Sequence, residues 1–211
     1  MGNYEDARGG CHGFLYQKGR FRTIDVPDKP TQALGLNDRG QVVGGTVDPN
    51  SGRSSGFLLD DGVYTAIDVP RSLSTNALDI NNRGDITGVY ADAQRTGHGY
   101  VRDRNGELTT IDVPGASLTF PLGINNRGHV VGMYRDANQV AHGFLYEDGA
   151  ITTIDHPLAA SDSWVQDLNH RGQLVGFYER GVPTSPVAAA AAAGAGDSVR
   201  ARWQMWGPEW A

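Results

Sequence analysis

The chain has 211 residues, of which 39% are hydrophobic and 29 are glycine, and its formal net charge is −6. This length suits one large domain or two small ones, and so much glycine without a collagen period predicts many tight turns. The negative charge disfavours nucleic-acid binding, the single cysteine excludes an internal disulfide, and no apolar run is long enough to span a bilayer.

Four short phrases recur along the chain at regular intervals. One interval reads HGYVR at 98–102, TIDVP at 110–114, INNRG at 124–128 and VVGMY at 130–134. The glycine of the INNRG phrase stands at 40, 84, 128 and 172, so the spacing is 44 residues. A period of this length is the signature of stacked or radial repeat units.

Each interval predicts four short strands, named A to D. Strand A, as at 143–146, leads into a glycine turn, as at 148–149, which favours a type I′ hairpin. Strand B ends at a proline, which cannot donate to a ladder. Strand C, as at 121–125, and strand D, as at 129–134, flank the INNRG turn, whose glycine is expected at positive φ. That expectation covers Gly40, Gly84, Gly128 and Gly172.

Tight turns make neighbouring strands antiparallel, so the sequence predicts an all-β, propeller-like array of four-stranded units over residues 1–180. Residues 1–7 align with 131–137 and supply a leading strand D, which precedes about four full units and gives seventeen strands. Both unit orders considered, A-B-C-D and D-A-B-C, leave a spare strand D, and its open edge predicts self-association. A truncated five-unit ring or an open array also fits. The core is expected to contain one strand B residue from each unit: Ile24, Ile67, Ile111 and Ile154.

Residues 181–211 carry none of these phrases. They contain six consecutive alanines at 188–193 and three of the four tryptophans. We expect a poorly ordered tail, with docking of its tryptophans on a sheet edge or a partner as the alternative.

The recurring phrases resemble those of the HAF repeat family, notably TTIDVPGAS at 109–117 and GINNRG at 123–128. The resemblance covers residues 1 to about 178. It implies a bacterial protein at the cell surface or outside the cell, and no particular activity. The N-terminus lacks the basic and apolar regions of a signal peptide. Three positions depart from the family pattern: Thr46, Ser55 and His156.

Two sets of recurring polar residues are interpreted as structural. The aspartates before the prolines are expected to accept backbone hydrogen bonds from the following loop, and the histidines to cap turns or pack. A calcium or zinc site is the alternative, but the required ligand spacing is absent. No metal or cofactor is therefore expected. The two sets are Asp25, Asp68, Asp112 and Asp155, and His12, His98 and His142.

The arginines of the INNRG phrase are the candidate binding residues. A hairpin tip places few demands on its third residue, so a recurring cation there could serve a ligand, and a rim of guanidinium groups could bind carboxylates or phosphates. The competing interpretation is that each arginine pairs with an acid of its own or the next unit. The set is Arg39, Arg83, Arg127 and Arg171.

The chain contains no hydrolase, metalloprotease or nucleotide-binding motif. The sequence therefore predicts a non-catalytic binding or scaffold module, whose partner would be a glycan or a protein at the cell surface. Two alternatives stay open. One is a propeller-type glycan-processing enzyme, which rests on fold analogy alone. The other is a fragment of a larger surface repeat protein.

Overall fold

The computed structural model describes residues 1–180, which form seventeen β-strands and no helix. The all-β prediction and the number of strands are confirmed. The predicted tail at 181–211 lies outside the described residues. Nowhere in the described range is there a helix with the length and apolarity needed to cross a membrane.

The strands form five groups, which we call sheets 1 to 5. Sheet 1 contains β1 (Gly2–Glu5), β2 (Cys11–Gln17) and β3 (Arg20–Ile24). Sheet 2 contains β4 (Thr31–Leu36), β5 (Val42–Val47), β6 (Ser54–Asp60) and β7 (Val63–Ile67). Sheet 3 contains β8 (Ser74–Ile80), β9 (Ile86–Ala91), β10 (Gly97–Arg102) and β11 (Leu108–Ile111). Sheet 4 contains β12 (Leu118–Ile124), β13 (Val130–Arg135), β14 (Ala141–Glu147) and β15 (Ala150–Ile154). Sheet 5 contains β16 (Ser163–Leu168) and β17 (Leu174–Tyr178).

The order of strands within each sheet corrects the predicted units. Sheets 2, 3 and 4 run C-D-A-B with antiparallel neighbours, whereas sheet 1 contains only D-A-B and sheet 5 only C-D. There are thus three complete units rather than four. The prolines that end strand B break the ladder before strand C, while tight loops keep C, D, A and B in one ladder. A single parallel bridge, between Gly97 and Leu118, joins sheets 3 and 4.

The core lies in layers between consecutive sheets. Ile67 of sheet 2 packs against Ile80, Ile86 and Tyr100 of sheet 3, and the same position recurs at the other junctions. The core prediction is confirmed for Ile24, Ile67 and Ile111, which are 0%, 3% and 1% exposed. Ile154 is only half-buried, because sheet 5 has two strands to cover it. Within residues 1–180 the sheets do not close into a ring.

Both terminal sheets present an open apolar face. Phe21 of sheet 1 is 73% exposed, and Val175 of sheet 5 is 61% exposed. Val131, the counterpart of Val175 one repeat earlier, is fully buried because sheet 5 packs on it. Each inner sheet buries two faces, whereas each terminal sheet buries one.

The turns confirm the role predicted for glycine. Gly40, Gly84, Gly128 and Gly172 have φ angles of 79°, 91°, 88° and 79°. All of these C–D turns lie at the same end of their sheets as the A–B hairpins, because strands C and A run in the same direction. We call this end the hairpin end, and the opposite end, with the D–A and B–C connections, the loop end.

Candidate functional site

The INNRG turns form a ladder that runs from sheet to sheet. Within its own turn, Oδ1 of Asn125 accepts hydrogen bonds from the backbone N–H of Arg127 and of His129, at 2.9 and 3.1 Å. Its Nδ2 donates to the carbonyl of Asn169 in the next turn, at 3.3 Å. Nδ2 of Asn81 donates in the same way to the carbonyl of Asn125, at 3.0 Å. The asparagine therefore shapes its own turn and binds the next one.

A second contact uses the arginine itself. Nη2 of Arg39 lies 2.8 Å from where a Cβ on Gly84 would be, and Nη2 of Arg83 lies 2.7 Å from the corresponding position on Gly128. Gly84 and Gly128 therefore combine a positive φ with a close approach by the preceding guanidinium, whereas Gly40 and Gly172 have open space at this position.

The four candidate arginines are all exposed at the hairpin end, and their local partners differ. Arg83 forms an ion pair with Asp85, 2.8 Å away. Arg39 donates to Oε1 of Gln41, at 2.9 Å. Among residues 1–180, the guanidinium groups of Arg127 and Arg171 have no partner. Pairing with a nearby group therefore describes Arg39 and Arg83, whereas availability to a ligand describes Arg127 and Arg171.

The recurring histidines lie between two aspartates and against a tyrosine. Nδ1 of His98 lies 2.8 Å from Asp112, and Nε2 lies 3.2 Å from Asp92. The ring stacks on Tyr90 with the centroids 5.1 Å apart. Both ring nitrogens can donate only when the imidazole is protonated. The equivalent sets are His12 with Asp25, Asp6 and Tyr4, and His142 with Asp155, Asp136 and Tyr134.

The electrostatics of these histidines follows from their partners. The hydrogen bond that His12 donates to the carboxylate of Asp25 is the main cause that raises the pKa of His12. Burial lowers the pKa of His98, but its hydrogen bonds with Asp112 and Asp92 outweigh burial, and the pKa is raised overall. The raised pKa values favour a charged imidazolium at His12 and at His98.

The role predicted for the aspartates belongs to other residues. The backbone N–H of Val113 donates to the hydroxyl of Thr119, at 3.1 Å, and the same bond joins Val26 to Thr31 at 2.9 Å. A threonine therefore organises the loop after strand B, and the aspartate is free to pair with the histidine. The prediction that these carboxylates accept loop N–H groups was wrong. The described part of the chain holds no group of His, Cys, Asp or Glu side chains suited to a metal.

Sheet 2 shows how the array compensates for a lost histidine. Ser55 stands where the other units have histidine, which leaves the carboxylate of Asp68 without that partner. Nη2 of Arg53 lies 3.2 Å from Asp68 and supplies the cation instead. A histidine or an arginine thus lies opposite this aspartate in each of the first four sheets.

A basic groove opens between sheets 1 and 2 at the hairpin end. Its volume is about 900 Å³, and it is lined by the A–B hairpin of sheet 1 and by both turns of sheet 2. Four of its ten lining residues are cations and one is an acid, which gives 4 − 1 = +3 in a chain of net charge −6. We call these residues the basic groove: Leu15, Gln17, Lys18, Arg20, Arg22, Arg39, Gly40, Leu59, Asp61 and Gly62.

Three of the groove cations break the repeat. Lys18 occupies a hairpin position that is Asp61 in sheet 2, and Arg20 occupies one that is Val63. Arg22 likewise replaces a threonine. Sequence reasoning missed these residues because it looked for what recurs. A comparison of the four A–B hairpins for charges that do not recur would have identified them.

No protein family model matches the chain, and no curated protein matches it. Among solved structures, the chain is similar to the crystal structure of a mutant of AofleA from Arthrobotrys oligospora in which three arginines are replaced by alanine. The identity is 15% and the TM-score is 0.46. The match covers 74% of this chain and 53% of that one, so the chain spans about half the length of that structure.

Proposed function

We propose that the protein is a non-catalytic binding module that presents cations at its hairpin end to an acidic partner. The observation that carries this proposal is the ladder of INNRG turns. By tying each turn to the next, it holds four exposed arginines along one end of the sheets, and two of them have no partner in the described range. Arginines that served only in ion pairs within the fold would not need to be aligned along one end of the sheets.

The architecture supports a propeller-like array as the framework for this display. Antiparallel sheets of about four strands pack face to face, and the C strands β4, β8, β12 and β16 are neighbours from one sheet to the next. Four strands in 44 residues is the length of one propeller blade. On the strength of the recurring phrases, we further propose that the chain is a HAF repeat protein that acts at the cell surface or outside the cell.

Several weak contacts acting together explain why the cations recur. A single exposed ion pair contributes only about 0.2–1 kcal/mol. Four arginines carried by turns that are tied together on one end can bind a ligand with several acidic groups, because the backbone of each turn needs no further ordering when the ligand arrives. Because the net charge of the chain is −6, an acidic partner can bind only if these cations are gathered at one end of the molecule.

The test replaces Arg39, Arg83, Arg127 and Arg171 together by glutamine. We expect an unchanged fold and loss of binding to an immobilised acidic polysaccharide such as polygalacturonate, with loss of the salt dependence seen for the wild type. Neutral dextran serves as the control polymer. Wild-type affinity in the quadruple variant would overturn the proposal.

A matched control variant is available at the other end of the molecule. Arg8, Arg71, Arg95 and Arg180 are also exposed and lie at the loop end. Replacing these four by glutamine changes the net charge equally. We expect this variant to keep its binding, whereas an equal loss in both variants would mean that total charge, not its placement, governs the interaction.

A further inference from the structure

We infer that the basic groove between sheets 1 and 2 is where the acidic partner binds, and that the ligand is an acidic oligosaccharide bearing both carboxylates and hydroxyls. The inference rests on the proposed function and deepens it, because it assigns the interaction to one junction of the array. The first reason is the groove's charge. Its cations include three at positions that are not cationic in the other A–B hairpins: Lys18, Arg20 and Arg22.

These cations are not neutralised within the molecule. In the part of the chain that the structure describes, neither Lys18, Arg20 nor Arg22 forms an ion pair. Arg53 and Arg83, which lie outside the groove, each have an aspartate as partner. What distinguishes the groove is that three such unpaired cations line one concave surface, where they form a positive patch complementary to an external anion.

The geometry of strand β3 suits a chain with regularly spaced acidic groups. Arg20 and Arg22 are two residues apart on one strand, so their side chains leave the same face about 6.6 Å apart. The C–D turn of sheet 2, with Arg39 and Gly40, lines the other side of the groove, and the Arg39 guanidinium itself donates to Gln41 beside Gly84. Guanidinium groups bind carboxylates through two parallel hydrogen bonds. The groove can therefore hold acidic groups at several points along one ligand.

Two further lining residues distinguish an acidic sugar from other anions. Asp61 is an acceptor that repels a carboxylate but accepts a hydrogen bond from a hydroxyl, and the Gln17 amide both donates and accepts. Leu15 and Leu59 line the groove with apolar surface. The volume of about 900 Å³ lies within the usual range for small-ligand sites. A short oligosaccharide with alternating acidic and hydroxyl groups uses all of these features.

The experiment measures binding of an oligogalacturonate by calorimetry to the full chain and to two triple variants. The groove variant carries Lys18→Gln, Arg20→Gln and Arg22→Gln. The control variant carries Arg71→Gln, Arg95→Gln and Arg180→Gln at the loop end, which changes the net charge by the same amount. We expect the groove variant to lose about tenfold or more in affinity, as for three exposed charge pairs, and the control variant to lose less than about threefold. Thermal unfolding of all three proteins checks that the fold is kept.

The outcomes separate the inference from the proposed function. If the groove variant keeps its binding while the quadruple variant of Arg39, Arg83, Arg127 and Arg171 loses it, the arginine turns bind the ligand and the groove inference is wrong, while the proposed function stands. If the groove and control variants lose affinity equally, total charge governs binding and the groove inference is wrong. If the wild type binds no acidic polymer at all, both fail.

A second arm tests the ligand class through Asp61. Asp61→Asn should weaken binding of the oligogalacturonate and strengthen binding of poly-L-glutamate, because the peptide offers carboxylates without hydroxyls. Stronger binding of both ligands would show that the groove responds to charge alone and would overturn the assignment to a sugar.

Discussion

Replacing the partly buried Asp79 by asparagine should stabilise the protein near neutral pH. Asp79 lies at a bulge in strand β8, and its carboxylate accepts a hydrogen bond from the backbone N–H of Ile124 in sheet 4, at 2.9 Å. Burial raises the pKa of Asp79 from 3.8 to about 6, with a smaller contribution from the negative charge of Asp167. At about 1.4 kcal/mol per pH unit, this rise corresponds to about 3 kcal/mol.

The sign of the pH dependence follows from where the proton binds. The folded protein keeps the Asp79 proton up to about pH 6, while the unfolded chain releases it near pH 3.8. The free energy of unfolding should therefore fall by about 3 kcal/mol as pH rises through this window, and stay reduced above it. Asparagine removes the charge and keeps an acceptor for the N–H of Ile124. We expect Asp79→Asn to gain about 1–3 kcal/mol at pH 7.5, since the added amide N–H₂ must also find room.

Urea unfolding of the wild type and the variant at pH 4.5, 5.5, 6.5 and 7.5 measures the effect. Asp167→Asn is the matched control, because Asp167 is at the equivalent bulge of sheet 5. The control should retain most of the fall in stability between pH 4.5 and 6.5. The reasoning is refuted if Asp79→Asn shows the same fall as the wild type, or if it is less stable than the wild type at pH 7.5.

Three further substitutions test the core, the turns and the histidines. Ile111→Ala should lower the free energy of unfolding by about 2–5 kcal/mol in urea, and a loss below about 0.5 kcal/mol would mean that this position is not core. Gly128→Val should cost at least about 1 kcal/mol and lower the melting temperature, because φ is 88° and the Arg83 guanidinium fills the space; an unchanged melting temperature would contradict this. Folding raises the pKa of His98 above its usual 6.5, so its protonated form stabilises the fold below pH 6.5 and this contribution is lost as pH rises through the folded pKa. His98→Gln should therefore destabilise the protein more at pH 5.5 than at pH 8.5, and equal losses at both would count against the imidazolium.

Local rules were enough to predict the strands and turns. The glycine and proline positions fix where each hairpin turns and where each ladder ends, so the number of strands and the positive φ of Gly128 could be predicted from the sequence. The strand order could not, because the same four strands can be divided into sheets in several ways. Only the pairing of β4 with β5, rather than with β3, shows that the division falls after the proline of strand B.

The side-chain contacts could not be predicted from the sequence, because they depend on how the strands pair and how the sheets pack. His98 and Asp112 recur with the same period, which hinted at a shared role, but only the antiparallel pairing of β10 with β11 brings them within 2.8 Å. The basic groove is harder still to predict, because the Lys18 hairpin and the C–D turn of sheet 2 come to line one groove only through the packing of sheet 2 on sheet 1. A search for recurring residues identifies what the units share, whereas three of the groove cations occur in one unit only.

Mapping of the binding surface by NMR tests the central claim most directly. A ¹⁵N-labelled sample of the full chain is titrated with an oligogalacturonate, and the amide shifts are followed. We predict that the largest changes fall on the groove residues of the hairpins and turn of sheets 1 and 2, including Lys18, Arg20, Gly40 and Gly62. Changes concentrated at the loop end, or spread evenly over both ends, would contradict the account.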